Sequence, residues 1–177
     1  VLVFDTTFHQ TMTEKAFMYG LPYDWYEKDG VRRYGAHGMS HEFVTLEAAR
    51  LLGKKTEEIN MISCHLGNGS SITAVKNGKC VDTSMGFTPL EGLVMGTRSG
   101  DIDPAIIEFI MDRRGIDIHE MLNILNKKSG LLALSGKTGD IRDLRILRDS
   151  GDARAAMALD VLCYRVRKYI GAYMAVL

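Results

Sequence analysis

Apolar positions recur along the chain with two distinct periods. Between residues 41 and 53, Phe43, Leu46, Ala49 and Leu52 are three residues apart and Gly53 follows, which predicts a helix with a glycine stop. Val1, Leu2, Val3 and Phe4 before Asp5 read as a buried strand, and the short apolar run 59–66 as a fully buried one. Ser71, Ile72, Thr73, Ala74 and Val75 alternate in the manner of a half-buried strand. Asn77-Gly78 then separates that run from residues 79–83, a hairpin signal because a type I′ turn requires positive φ at both central residues. Residues 84–103 are glycine-rich and irregular. Asp103 as cap and Pro104 as first helical residue predict a helix over 105–114, with others near 117–128, 140–149 and 152–177. Paired strands early and helices late give an α/β unit with a mixed sheet. No repeat or Pro/Ser-rich linker divides it, so it reads as one unit.

Composition narrows the function. Among 177 residues, 22 Lys and Arg balance 22 Asp and Glu, which removes the electrostatic case for nucleic acid or an anionic membrane as principal partner. The last helix carries the longest apolar stretch. Asp152, Arg154, Asp160, Arg165, Arg167 and Lys168 interrupt it, which argues for a core helix and against a membrane span. Cys64, Cys80 and Cys163 are widely spaced and outside any CxxC pair, so they read as reduced, cytosolic core residues. The opening run lacks an initiator Met, a basic region and a cleavage site; it reads as a cut and not as a signal peptide.

The densest chemical signal is His65, Leu66, Gly67, Asn68, Gly69, Ser70 and Ser71, between two predicted strands. Glycines there let backbone N–H groups approach a phosphate, and the same residues also suit a plain tight turn. Residues 130–138 come near a P-loop, but five residues rather than four separate the glycines, which excludes it. Asp5, at the expected end of a strand, suits either a ligand crevice or an ordinary cap. His37 and His41 stand four apart, yet the HExxH order is missing and Gly38 intervenes. A loop entering a helix, with one His directed at an anion and the other capping or packing, fits better than zinc. In residues 92–103, Arg98 suits either the neutralisation of phosphoryl oxygens or an ion pair with Asp101 or Asp103. The charged run 137–148 reads as a solvated face, in which Asp140 and Arg142 also suit the edge of a nucleotide pocket.

Taken in order, residues 3–12 (VFDTTFHQTM), 34–41 (YGAHGMSH), 65–71 (HLGNGSS), 82–92 (DTSMGFTPLEG) and 96–104 (GTRSGDIDP) resemble the acetate kinase family over essentially the whole chain. The resemblance implies a ribonuclease H-like (actin-like ATPase) domain of the superfamily that includes actin, sugar kinases and heat-shock ATPases. Residues 1–177 would form part of the second, nucleotide-side domain. The family's N-terminal domain, with its Gly-Ser-Ser loop and substrate Arg, and its final Gly-x-Gly-Glu-Asn motif have no counterpart here.

The activity so implied is phosphoryl transfer from ATP to acetate, giving acetyl phosphate and ADP reversibly, with Mg²⁺ whose ligands lie outside this chain. Asp5 matches the family's active-site aspartate; His37 and Arg98 match the residues that stabilise the transition state. His65, Leu66, Gly67, Asn68 and Gly69 match the phosphate-binding loop, Asp140, Ile141 and Arg142 a nucleotide-binding triplet, and Pro89 part of the acyl pocket. Ala36 stands where the family often has Phe and Met39 where Thr is usual, so propionate and butyrate are alternative substrates. The resemblance further implies a cytoplasmic homodimer. As an isolated piece the chain is expected to be an inactive core or dimerisation fragment.

Overall fold

The computed structural model describes residue 2 and residues 4–177. Val1 and Val3 of the expected opening strand lie outside the described residues. Leu2 and Phe4 are exposed and form no strand. The cause is local: the Phe4 carbonyl accepts the Thr7 N–H at 3.0 Å and the Thr7 hydroxyl at 2.8 Å, so the chain is already turning into the 3₁₀ segment Thr7–Thr11.

The described residues group into two compact units where the sequence reads as one. The first takes Val1–Leu66, Ser71–Glu91 and Arg167–Leu177; the second takes Gly67–Ser70 and Gly92–Val166. The chain passes between them within loops, at a strand end and inside a helix, none of which has the composition of a linker.

In the first unit, two short helices, α1 (Glu14–Phe17) and α2 (Tyr23–Asp29), occupy a stretch too brief per element to show periodicity. Helix α3 (Gly38–Leu52) begins three residues before the expected start. It ends on left-handed Gly53, where the Lys54 N–H bonds back to the Ala49 carbonyl at 3.0 Å. Strands β1 (Met61–Leu66), β2 (Ser70–Lys76) and β3 (Lys79–Thr83) form one sheet in that order. Antiparallel β2 and β3 meet through the expected turn, with φ of 51° at Asn77 and 73° at Gly78. A register shift between Ala74 and Val75 leaves Val81 as the extra residue of a bulge, which no sequence signal announced.

Burial of the strands is the reverse of the expectation. Residues 70–75, read as half-buried, are buried throughout, whereas β1, read as fully buried, buries only Ser63 and exposes Cys64 and Leu66. Position decides: β2 is central and covered on both faces, and β1 lies at one side of the described sheet. The cysteines follow the same logic. Cys80 is a core residue, pushed up to about 12 by burial and then by the Asp82 carboxylate, but Cys64 and Cys163 are exposed, which corrects the reading of all three as core.

In the second unit, α4 (Ala105–Arg114), α5 (Ile118–Lys127), α6 (Gly130–Ser135), α7 (Ile141–Asp149) and the first part of α8 (Ala153–Val176) follow the irregular segment 92–103. Aspartates open several of them. Asp103 accepts from the Ala105 N–H, Asp117 from Glu120, Asp140 from Arg142 and Asp152 from Ala155, each at 2.8–2.9 Å. Residues 130–135, near the rejected P-loop, are a short helix. Val94, Leu131, Leu144, Ala155, Ala158, Leu159 and Leu162 form the core. No helix among the described residues is long and apolar enough to cross a membrane.

Candidate functional site

The first unit gathers Asp5, His37 and His65 in one cluster. Asp5 sits in the turn before the 3₁₀ segment, where one carboxylate oxygen accepts the His37 backbone N–H at 2.6 Å and its carbonyl accepts the Gly38 N–H at 2.7 Å. These N–H groups at the start of α3 have no partner within the helix, and its dipole favours a negative group there. The two readings of Asp5 therefore coincide, since it caps a helix and stands beside His37. A Cβ at Gly38 would lie 2.4 Å from the Asp5 carbonyl oxygen, so only glycine permits this approach.

His37 itself adopts the left-handed conformation (φ 59°, ψ 23°), uncommon for a residue with a Cβ and costing about 1–2 kcal/mol. The strained turn lifts its ring off the helix onto the sheet side. There its Nδ1 lies 3.0 Å from the Ser71 hydroxyl, and its ring stacks on His65 with centroids 4.0 Å apart and planes at 20°. The His65 Nδ1 in turn lies 2.9 Å from the Ser40 hydroxyl.

One helical turn on, His41 is fully buried. Its Nδ1 meets the Ser63 hydroxyl at 2.9 Å and its Nε2 the Ser71 hydroxyl at 2.7 Å. Its pKa is pulled down to about 3, by burial first and then by the neighbouring imidazoles of His9, His65 and His37, so the ring is neutral near pH 7. The packing role expected for one of the two histidines falls to His41. His9, also buried, is shifted down chiefly by burial; its Nε2 lies 2.9 Å from the Ala36 carbonyl and its Nδ1 3.2 Å from the Cys80 sulfur. Ala36 is itself buried, and Pro89 is exposed in the loop after β3.

A partly buried ionic clamp fixes that loop. One Arg33 amino group donates to the carbonyls of Thr83, Ser84 and Met85 at 3.1–3.3 Å, and the other donates to Glu91 at 2.7 Å. Tyr19 donates to the second Glu91 oxygen and accepts the Phe87 N–H at 2.8 Å; burial, then the Glu91 carboxylate, pushes its pKa up. The Gly86 carbonyl accepts the N–H groups of Tyr34 and Gly35, both at 3.1 Å, joining the Pro89 loop to the turn that carries Ala36 and His37. Sequence reading passed over Arg33, Tyr19 and Ser63; Ser71 and Glu91 lie inside quoted motifs, but their partners were not foreseen. Only nearness to those motifs hinted at the first three.

The second unit holds the other predicted residues. Gly67 to Ser70 close on themselves, with the Gly67 N–H bonded to the Gly69 carbonyl at 3.2 Å and the Ser70 hydroxyl to the Gly67 carbonyl at 2.9 Å. The Asn68 carbonyl accepts the Gly96 N–H at 3.0 Å, which ties the loop to the irregular segment. Arg98 is partly buried in that segment, its carbonyl accepting the Met95 N–H at 3.1 Å and its guanidinium reaching the Met95 sulfur at 3.8 Å. Asp101 accepts the Gly92 N–H and Asp103 caps α4. Asp140 caps α7 and grips the Arg142 guanidinium at 3.1 and 2.6 Å; these bonds hold its pKa down to about 2, so the pair is fully ionised. Among the described residues, no group of three or more His, Cys, Asp or Glu side chains is placed to hold a metal ion.

Comparison with known proteins agrees with the motifs. The family model described as the acetokinase family matches residues 1–177. The chain is 61% identical to the acetate kinase of Halothermothrix orenii over 177 residues and 58% identical to that of Bacillus cereus over 175. It spans about 44% of the length of these relatives. A crystal structure of Porphyromonas gingivalis acetate kinase superposes with a TM-score of 0.95 at 48% identity, covering 98% of this chain and 44% of that one. A propionate kinase from Francisella tularensis gives the same TM-score and identity, covering 99% of this chain and 45% of that one. The α/β fold is the actin-like class expected. By the match along its whole length and by its backbone, the chain belongs to the acetokinase family.

Proposed function

We propose that the protein containing this chain transfers the γ-phosphoryl group of ATP to a short-chain carboxylate, acetate in the first instance, giving an acyl phosphate and ADP. A carboxylate oxygen bonds to the γ-phosphorus as the bond to the β,γ-bridging oxygen breaks, and ADP leaves with that electron pair. The observation that carries the reading is the Asp5–His37 junction: a carboxylate at a helix start beside a strained imidazole, within a chain of this family.

The nucleophile is already ionised near neutral pH, so Asp5 acts in positioning more than in proton removal. His37 and Arg98 each stabilise charge on the three equatorial phosphoryl oxygens. His65, Leu66, Gly67, Asn68 and Gly69 contact phosphate, and Asp140, Ile141 and Arg142 the nucleotide. Mg²⁺ bound with ATP would neutralise phosphate charge, and on this reading its ligands lie outside residues 1–177. On this reading residues 1–177 form part of the nucleotide-side domain of a cytoplasmic homodimer.

A second reading, propionate or butyrate as preferred substrate, is favoured by the small Ala36 at a position that the resemblance assigns to the wall of the acyl pocket. The equal likeness to an acetate kinase and a propionate kinase leaves both in play. Trapping the acyl phosphate as hydroxamate with each acid ranks them by kcat/KM.

In the whole protein, His37→Ala and Arg98→Ala are each expected to lower kcat about 100- to 1,000-fold with ATP binding retained, as loss of a transition-state contact does. Near-normal turnover in both sinks the proposal. The 177-residue chain alone is expected to form no acyl phosphate.

A further inference from the structure

We propose that His9 is a positioning residue for His37: its Nε2–H on the Ala36 carbonyl pins one end of the Ala36–His37 peptide group, Asp5 holds the other, and the two keep His37 in the left-handed turn that presents its ring. The proposal rests on the reading of His37 as a phosphoryl contact and adds a residue that prepares it for that task.

A peptide group has two polar ends, and side chains of a single short segment occupy both ends of this one. The His37 N–H meets the Asp5 carboxylate at 2.6 Å, and the Ala36 carbonyl meets His9 Nε2 at 2.9 Å. The next peptide is held too, since the Gly38 N–H donates to the Asp5 carbonyl at 2.7 Å. Fixing the peptide planes on either side of His37 fixes its φ and ψ. A residue with a Cβ at φ 59° requires such a hold, because its backbone would otherwise relax to the right-handed region. Relaxation would swing the imidazole away from the Ser71 hydroxyl and from its stack on His65.

The direction of the His9 bond follows from its acceptor. A carbonyl oxygen carries no proton, so Nε2 must donate, whether the ring holds one proton or two. Burial lowers the His9 pKa, which leaves Nδ1 as an acceptor facing the Cys80 sulfur at 3.2 Å; the thiol, kept protonated by burial, donates there. None of this depends on the ionisation of His37.

His9 is also firmly placed. It is fully buried, its own N–H bonds to the Thr6 carbonyl at 3.1 Å, and the Thr11 hydroxyl anchors the 3₁₀ segment to the Cys80 carbonyl of β3 at 2.6 Å. The turn lies directly on the ring, for a Cβ at Gly35 would stand 2.7 Å from His9 Cδ2. Burying an imidazole costs more than burying a phenyl ring, so packing alone does not account for a histidine here; the donor does.

The test uses the whole protein labelled with ¹³C-carbonyl alanine and ¹⁵N-histidine. Ala36-His37 is the only Ala-His step in these 177 residues, so the coupled signal reports this peptide group, and its loss in His37→Ala assigns it. In the unaltered protein, long-range ¹H–¹⁵N correlation should find the His9 ring protonated at Nε2. A neutral His9 protonated at Nδ1 overturns the proposal before any variant is made. The carboxamide of Gln can reach the place of His9 Nε2, whereas that of Asn reaches only the place of Nδ1, toward Cys80. His9→Asn is expected to shift the Ala36–His37 signal and lower kcat about 10- to 100-fold, the scale of a small misplacement at a reacting centre, with KM for ATP unchanged. His9→Gln should restore both. Where His37→Ala is impaired, a His9→Asn protein that turns over like His9→Gln, or one slowed with the peptide signal in place, overturns the proposal and leaves the phosphoryl reading standing. Full turnover in His37→Ala, with the signal still shifted by His9→Asn, supports the hold of His9 on the turn and overturns the phosphoryl reading instead.

Discussion

Asp5 accepts the backbone N–H of His37 at 2.6 Å although 32 positions separate them, and its carbonyl accepts the next N–H along. One residue thereby caps a fifteen-residue helix and sets the strained turn that presents the His37 ring. Cap and site are the same contact.

Asp5→Asn retains an acceptor for the cap and removes the charge. We expect the urea midpoint of the whole protein to move little, because Asn caps nearly as well as Asp, while kcat falls at least about 10-fold if charge matters to positioning. Equal turnover in the two proteins would reduce Asp5 to a cap.

Glu91→Gln leaves the partly buried Arg33 guanidinium without its carboxylate and weakens the bond from Tyr19. A loss of about 1–3 kcal/mol is expected, the cost of an imperfectly satisfied buried polar group. Equilibrium denaturation measures it. Arg33→Lys should do no better, since an ammonium cannot span three carbonyls and a carboxylate at once.

Acid should destabilise the first unit through His41 and His9. Both are shifted down on folding, His41 to about 3, so below the ordinary value of about 6.5 the unfolded chain binds more protons than the folded one. The His41 contribution is full above that value and is lost as pH falls toward 3, at up to about 1.4 kcal/mol per pH unit, and His9 acts in the same direction. Denaturation midpoints followed from neutral to acid pH should fall over that range, and the slope should lessen in His41→Gln. A flat profile counts against a neutral buried His41.

Leu144→Ala addresses the second unit. Leu144 is fully buried among Val94, Leu131, Ala155, Ala158 and Leu159, so the cavity should cost about 2–5 kcal/mol. Hydrogen exchange should locate faster opening in α6, α7 and the first part of α8. Unchanged protection there would mean that these helices do not depend on this core.

Much of the backbone was legible because its signals are local. Asn77-Gly78 demands positive φ, Gly53 stops α3, and Asp103 stands where its side-chain oxygen meets an orphan N–H group. Each rule acts over a few residues. Elements without such markers escaped: α1 and α2 are too short for a period to show, and α6 was visible only as a loop whose glycines were wrongly spaced for phosphate. The units escaped too, because the chain changes unit within ordered segments.

The site divides along the same line. Asp5, His37, Arg98 and the 65–69 loop could be named from residue types and order, since a family's motifs are stretches of sequence. The partners of His37 could not, for Ser71 and Asp5 approach it across 34 and 32 positions. Nor could the burial of β1 and β2 be read from their alternation, because a strand's two faces are covered by whatever packs on them. Local rules of dihedral preference, capping and turn chemistry are written residue by residue along the chain. Which hydroxyl meets which imidazole, and which carboxylate neutralises Arg33, depend on distances that exist only after strands and helices have packed.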